Sequence, residues 1–179
     1  MKVICIIDMQ NDFITGSLGT PEAVVARDNL CEWAKKNITS DDKVIFTRDT
    51  HGENYLDTQE GKNLPVPHCI KDTEGWDIDK KVVDTIFDIE PYISLVDKPT
   101  FGSMNLKNNI PFDMKQVDEI IFCGVCTDIC VVSNALITKA NFPEIKMSVI
   151  ADCCAGVTPE KHNAALEVMR SCQIDVIGG

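Results

Sequence analysis

Asp118-Glu-Ile-Ile-Phe-Cys-Gly-Val-Cys-Thr-Asp-Ile-Cys130 is followed by Val131, Asn134, Ala135 and Thr138 at helical spacing. The run Asp118–Cys123 is apolar and of strand length, and the period changes just beyond Gly124. A strand therefore ends and a helix begins around a cysteine. Cys130 falls in the first turn of that helix, where unpaired backbone N–H groups and the positive end of the helix dipole favour a thiolate. A thiolate so placed is a nucleophile with a ready-made site beside it for a developing oxyanion.

The same alternation extends in both directions. Val3–Ile7 is a continuous apolar run, the pattern of a parallel strand covered on both faces. Thr20-Pro21-Glu22 offers an N-cap, a proline at the first helical position and an acid in the first turn, so a helix runs to about Lys36. Strands are expected at Lys43–Thr47, Ile93–Val96, Ile120–Cys123, Lys146–Ala151 and Ile174–Ile177. Helices are expected at Ile129–Lys139 and from Thr158-Pro159-Glu160 to about Cys172, with weak helical character over Ile78–Phe87. Gly52 to Asp77 is a polar stretch too long for a plain connector, and such loops are usually functional. Strands alternating with helices predict an α/β fold: one domain over residues 1–179, a three-layer, doubly wound sheet of six mainly parallel strands with helices on both faces. Neither a glycine-rich dinucleotide fingerprint nor a P-loop is present.

The balance of 17 basic against 28 acidic residues, a net charge of −11, argues against nucleic acid or an anionic membrane as partner. No apolar run approaches the roughly 18 to 20 residues that span a bilayer, and Asp8 ends the first apolar segment too early for a signal-peptide core. Nine cysteines could suggest a disulfide framework, but Cys5, Cys123 and Cys153 fall in expected buried strands, where cysteine packs as a small hydrophobe. Reduced thiols in the cytoplasm are the better reading.

Sites in open α/β sheets gather at the carboxyl ends of strands. Asp8, Asp49, Lys98 and Gly124–Cys130 each follow an expected strand, so four polar features should converge on one cleft. Taken singly, Asp8 could cap a turn and Lys98 could be a solvated lysine. Beside a nucleophilic cysteine, Asp8 becomes a general base, and a directed Lys98 ammonium would hold Asp8 ionised and help stabilise the Cys130 thiolate. Cys123 and Cys126 form a C-x-x-C that could bind zinc or act as a redox pair, but Cys153-Cys154 supplies no matching half-site. Asp49-Thr-His51 and His68 hold two of the three histidines. They could be surface residues; as ligands with open positions they suit Zn²⁺, Mn²⁺ or Fe²⁺. His162, in the last long helix, reads as structural or exposed.

Asp8 in its Asp-x-Gln-Asn-Asp-Phe context, Lys98, and Gly-Val-x-Thr-Asp-x-Cys130 resemble the Asp-Lys-Cys triad of the isochorismatase-like cysteine hydrolases. Asp49-x-His51 and Pro-x-His68-Cys resemble the metal site of nicotinamidases within that superfamily, and the resemblance covers nearly the whole chain. It implies Cys130 as nucleophile, Asp8 as base and Lys98 as third triad member. It further implies a cis peptide at Val125–Cys126, an oxyanion hole from the backbone N–H groups of Cys126 and Cys130, and Phe13 packing on a substrate ring. Asp49, His51 and His68 match metal ligands, Zn²⁺ first, and Glu60 lies where some members add a fourth. Two departures stand out. Cys126 occupies a position usually alanine, and Pro65 lies near the place of a missing loop tryptophan, so the pocket should lose one aromatic wall.

The expectation is a cytoplasmic cysteine amidohydrolase that cleaves a small primary carboxamide, nicotinamide first, to acid and ammonia through a thioester. Self-association is expected from the resemblance. The alternatives are isochorismate vinyl-ether hydrolysis and a non-catalytic thiol or metal sensor; Lys98 argues against the sensor.

Overall fold

The computed structural model describes residues 1–111 and 114–179, without the side chain of residue 114. β1 (Lys2–Ile7) is fully buried from Val3 to Ile7, which is why its apolar run shows no alternation. A short α1 (Asn11–Ile14) leads to α2 (Pro21–Asn37), whose cap is the one the sequence advertises: Thr20 Oγ1 accepts the Ala23 N–H at 3.1 Å. β2 (Lys43–Asp49) is followed by a 3₁₀ turn at Tyr55–Asp57 and by α3 (Gln59–Asn63), both inside the stretch expected to be loop. α4 (Lys80–Ile89) starts two residues later than expected because Asp79 Oδ1 accepts the N–H groups of Lys81 and Val82. β3 (Tyr92–Lys98), β4 (Glu119–Val125), α5 (Val132–Asn141), β5 (Met147–Ala155), α6 (Pro159–Ser171) and β6 (Asp175–Ile177) complete the chain.

All six strands are parallel, in the order β3-β2-β1-β4-β5-β6. α2 packs on α4, and α5 on α6, the pairing that right-handed crossovers on either side of the β1–β4 junction dictate. Strand order reverses at that junction, and ligands of such sheets bind at the carboxyl side of the reversal. Several strands extend further at this end than their apolar runs indicate. Asp49 pairs with Lys98 in the β2–β3 ladder, and β5 continues to Ala155. Backbone pairing persists while a neighbouring strand is present, so a charged side chain does not end it.

The exit from β4 is shaped by Gly124, at φ +116°. A Cβ there would lie 2.0 Å from the Ile7 carbonyl oxygen of β1, in a backbone region closed to other residues. Gly124→Ala is expected to cost about 3 kcal/mol or more. A urea midpoint equal to that of the unaltered protein would show that the close approach is relaxed at little cost. Among the described residues, no helix is long and apolar enough to cross a membrane.

Candidate active site and metal cluster

β1 delivers Asp8 in the left-handed region, φ 48°, a conformation that aspartate tolerates better than most residues. Its Oδ1 accepts the Thr47 hydroxyl at 2.6 Å, and its backbone N–H donates to the Thr47 carbonyl at 3.2 Å. Its Oδ2 lies 2.6 Å from Lys98 Nζ, with both side chains fully buried. That contact is a close ion pair whose angles fall short of a good hydrogen bond, leaving Oδ2 with lone-pair capacity to spare. Lys98 Nζ also lies 3.5 Å from Cys130 Sγ and 3.5 Å from Asp49 Oδ1. Residues 8, 49, 98 and 130 thus converge around one ammonium.

Burial disfavours the Lys98 charge, but Asp8, Cys130 and Asp49 together outweigh it and hold the ammonium well above its usual range. Burial pushes the Asp8 carboxyl up against the opposing pull of Lys98. Burial also pushes the Cys130 thiol well above its ordinary value, and the Asp8 charge adds to this. Lys98 pulls the other way, toward the thiolate, as the sequence leads one to expect. In a dry site holding more carboxylates than ammonium groups, the proton stays on sulfur until a base removes it. The two shifts act oppositely on that step: a more basic Asp8 carboxylate draws the proton, while the raised thiol holds it.

Cys130 sits in a single π-helical turn, Thr127–Val131, that precedes α5. The Val125–Cys126 peptide is cis. Asn134, one turn on, ties the region together: its Nδ2 donates to the Cys130 carbonyl at 2.8 Å and to the Phe101 carbonyl at 3.1 Å. Its Oδ1 accepts the Ser103 N–H at 2.9 Å, so the loop after Lys98 is fixed to the turn that carries Cys130. The sequence signal for Asn134 is a buried amide on the apolar stripe of a helix. Gln10 is a second unanticipated anchor, bonding the N–H of Asp49 at 2.7 Å and its carbonyl at 2.9 Å.

Asp49, His51, Glu60 and His68 bring one ligand atom each to within 4.8 Å of one another. His51 Nε2 lies 2.9 Å from Asp49 Oδ2; His68 Nε2 lies 3.5 Å from the same oxygen and 3.7 Å from Glu60 Oε1. His68 Nδ1 bonds the Val66 carbonyl at 2.8 Å, which leaves Nε2 as its free ligating nitrogen. Asp12 supports the same loop by accepting the Cys69 N–H at 2.8 Å. Burial opposes ionisation of Asp49, but His51, His68 and Lys98 hold its carboxyl well below the usual range. Burial, and Asp49 after it, push Glu60 up. Two imidazoles and two carboxylates so arranged fit a divalent cation in both donor type and charge.

Asp49, Glu60 and His68 of the ligand cluster line one cavity of about 270 Å³ together with Cys130. Phe13 lies on its wall with its ring centroid 5.5 Å from that of His68. Leu64 and Phe101 also line it, whereas Pro65 is exposed and is not a lining residue. Cys126 lines the cavity as well, with burial pushing its thiol up to about 12. Neither lysine nor arginine is among the lining residues.

The isochorismatase domain family model matches residues 2–179. The chain belongs to that family. It is 30% identical to the nicotinamidase/pyrazinamidase of Mycobacterium tuberculosis over 193 residues, covering 99% of this chain and 98% of the relative. The structure of a Bacillus subtilis nicotinamidase/pyrazinamidase superposes with a TM-score of 0.82 at 25% identity, covering 99% of this chain and all of that one. A pyrazinamidase of Pyrococcus horikoshii, solved in complex with zinc, gives 0.71 at 25% identity, with 99% of each chain covered. This member of the isochorismatase family is therefore a nicotinamidase-like hydrolase with the expected α/β fold.

Proposed function

We propose that this chain is a cytoplasmic cysteine amidohydrolase of a single domain, cleaving a small primary carboxamide, nicotinamide first, to the acid and ammonia. The observation that supports this most strongly is the buried triangle behind the cavity-lining Cys130: Lys98 Nζ 2.6 Å from Asp8 and 3.5 Å from Cys130. Asp8 Oδ2 takes the thiol proton and Cys130 Sγ attacks the carboxamide carbon. The backbone N–H groups of Cys126 and Cys130 hold the oxyanion. On collapse of the tetrahedral adduct the C–N bond breaks, and Asp8 returns its proton to the departing ammonia. Water, deprotonated by Asp8, then resolves the thioester and regenerates the thiol. Lys98 stays charged throughout and steadies whichever partner is anionic.

The residues suited to a divalent ion are Asp49, His51, His68 and Glu60. When bound there, the ion would supply a Lewis-acid anchor for a ring nitrogen of the substrate. Phe13 packs on the ring face. The absence of a lining lysine or arginine, and the presence of Asp49 and Glu60, favour a neutral amide over a polyanion such as isochorismate.

The test is ammonia release across primary carboxamides, including nicotinamide and pyrazinamide, beside pyruvate release from isochorismate. Ammonia release without pyruvate release is expected. Treatment with a chelator followed by its removal should abolish turnover, and Zn²⁺, Mn²⁺ or Fe²⁺ should restore it. Full activity in the chelated enzyme would remove the ligand cluster from the reaction.

A further inference from the structure

His162 of α6 lies outside the reacting groups, yet its Nδ1 is 2.8 Å from Thr127 Oγ1 in the turn that carries Cys130. Thr127 is wholly buried, and among the described residues Nδ1 is the single hydrogen-bond partner of its hydroxyl. A buried hydroxyl must place its proton on an acceptor, so the imidazole is the neutral tautomer protonated at Nε2, with Nδ1 accepting. A second contact holds the same turn to the start of α6: Asp128 Oδ1 accepts the Val157 N–H at 2.9 Å. Gly156 allows the close approach, since a Cβ there would lie 2.8 Å from Asp128 Oδ1 and 2.9 Å from the His162 nitrogen. His162 also lines a separate surface cavity, through which solvent protons reach it.

We propose that His162 is a positioning residue and a pH-sensitive latch: neutral, it holds the Thr127–Val131 turn so that Cys130 meets Asp8 and Lys98; protonated, it releases that hold. The proposal rests on the reading of Cys130 as nucleophile. Protonation makes Nδ1 a donor, so the Thr127 hydroxyl proton loses its acceptor in a buried place. The charged groups acting on His162 are Asp128 on the turn and Asp152 on β5; Glu22 of α2 and Cys154 line the same cavity, and Glu160 and Lys161 precede the histidine on its own helix, where residues one and two apart do not face each other. Burial lowers the imidazole's proton affinity, and Asp128 and Asp152 oppose that without reversing it. The sign follows: a histidine held below its ordinary value is neutral near pH 7, and the latch is lost only as pH falls below the ordinary histidine range.

Two readouts on the full chain decide the matter: the alkylation rate of Cys130 by iodoacetamide, followed by peptide mass from about pH 5 to about pH 8, and kcat and KM on a carboxamide that the unaltered enzyme cleaves. His162→Ala should slow both alkylation and kcat about tenfold, the weight of one positioning hydrogen bond, with KM within about twofold. His162→Gln keeps a neutral acceptor. It should recover most of both rates near pH 7.5, and the ratio of its rates to those of the unaltered protein should rise as pH falls, because only the histidine adds its own loss to that of the thiol and Asp8. An alanine variant that alkylates at the unaltered rate overturns the proposal. So does a glutamine variant whose rates keep a constant ratio to those of the unaltered protein across the pH range, or a pair of variants whose losses track lowered melting temperature with an unchanged pH profile. If the unaltered protein releases no ammonia from any carboxamide, the functional reading is lost, while the alkylation profiles still decide the latch.

Discussion

Cys130→Ala is expected to fold, to bind its metal ion as the unaltered protein does, and to release ammonia at least about 10⁴-fold more slowly. The size of the loss follows from the chemistry. Without sulfur no thioester forms, and the remaining cavity offers only binding and oxyanion donors. The fold should tolerate the change, because alanine at a site walled partly by the cavity removes one sulfur atom and leaves the Asn134 bond to the residue-130 carbonyl in place. The measurements are turnover, metal content and melting temperature on one preparation. Residual turnover within tenfold of the unaltered enzyme would reject Cys130 as nucleophile. Loss of metal along with activity would instead point to a structural collapse.

Lys98→Met should remove both activity and much of the stability. The ammonium is 1% exposed and stands between two carboxylates, 2.6 Å from Asp8 and 3.5 Å from Asp49. Deleting one member of a buried ion pair leaves the other without compensation, at a cost of about 3–5 kcal/mol. For a chain of this length that corresponds to a fall of about 10 °C in melting temperature. The double change Asp8→Asn with Lys98→Met removes both charges of the closest pair and should regain part of the stability but none of the activity. A single Lys98→Met variant that melts with the unaltered protein would mean that water enters the site and screens both carboxylates. The 2.6 Å pair would then carry little energy.

Strand ends were legible wherever burial decided them. The apolar runs at Val3–Ile7 and Ile120–Cys123 and the Thr-Pro-Glu openings of α2 and α6 stand where the sequence puts them, because solvent exclusion and helix capping are local rules. The polar extensions of β2 and β3 were not legible, because ladder bonds between Asp49 and Lys98 depend on a partner strand that no local rule names. The site shows the same division. Residues 8, 49, 51, 68, 98 and 130 stood out by type and by position after strands. Asn134, Gln10 and Thr127 did not, since their work is to bond backbone or side-chain groups whose proximity exists only after folding. The forces on the Cys130 thiol divide in the same way. A helix end and a nearby lysine favour an anion, but the penalty of full burial and the summed charge of Asp8 and Asp49 are properties of the packed site.

The sheet order β3-β2-β1-β4 places residues 98, 49, 8 and 130 along consecutive strand ends, although 122 positions of chain separate the first of them from the last. On the ribosome the acid emerges at the start and the sulfur comes after two thirds of the chain. β4 pairs with β1 along its length, and Gly124 seats against Ile7 just before the turn that carries the sulfur. The sulfur proposed as nucleophile therefore meets its acid and its ammonium only once the central strands have paired.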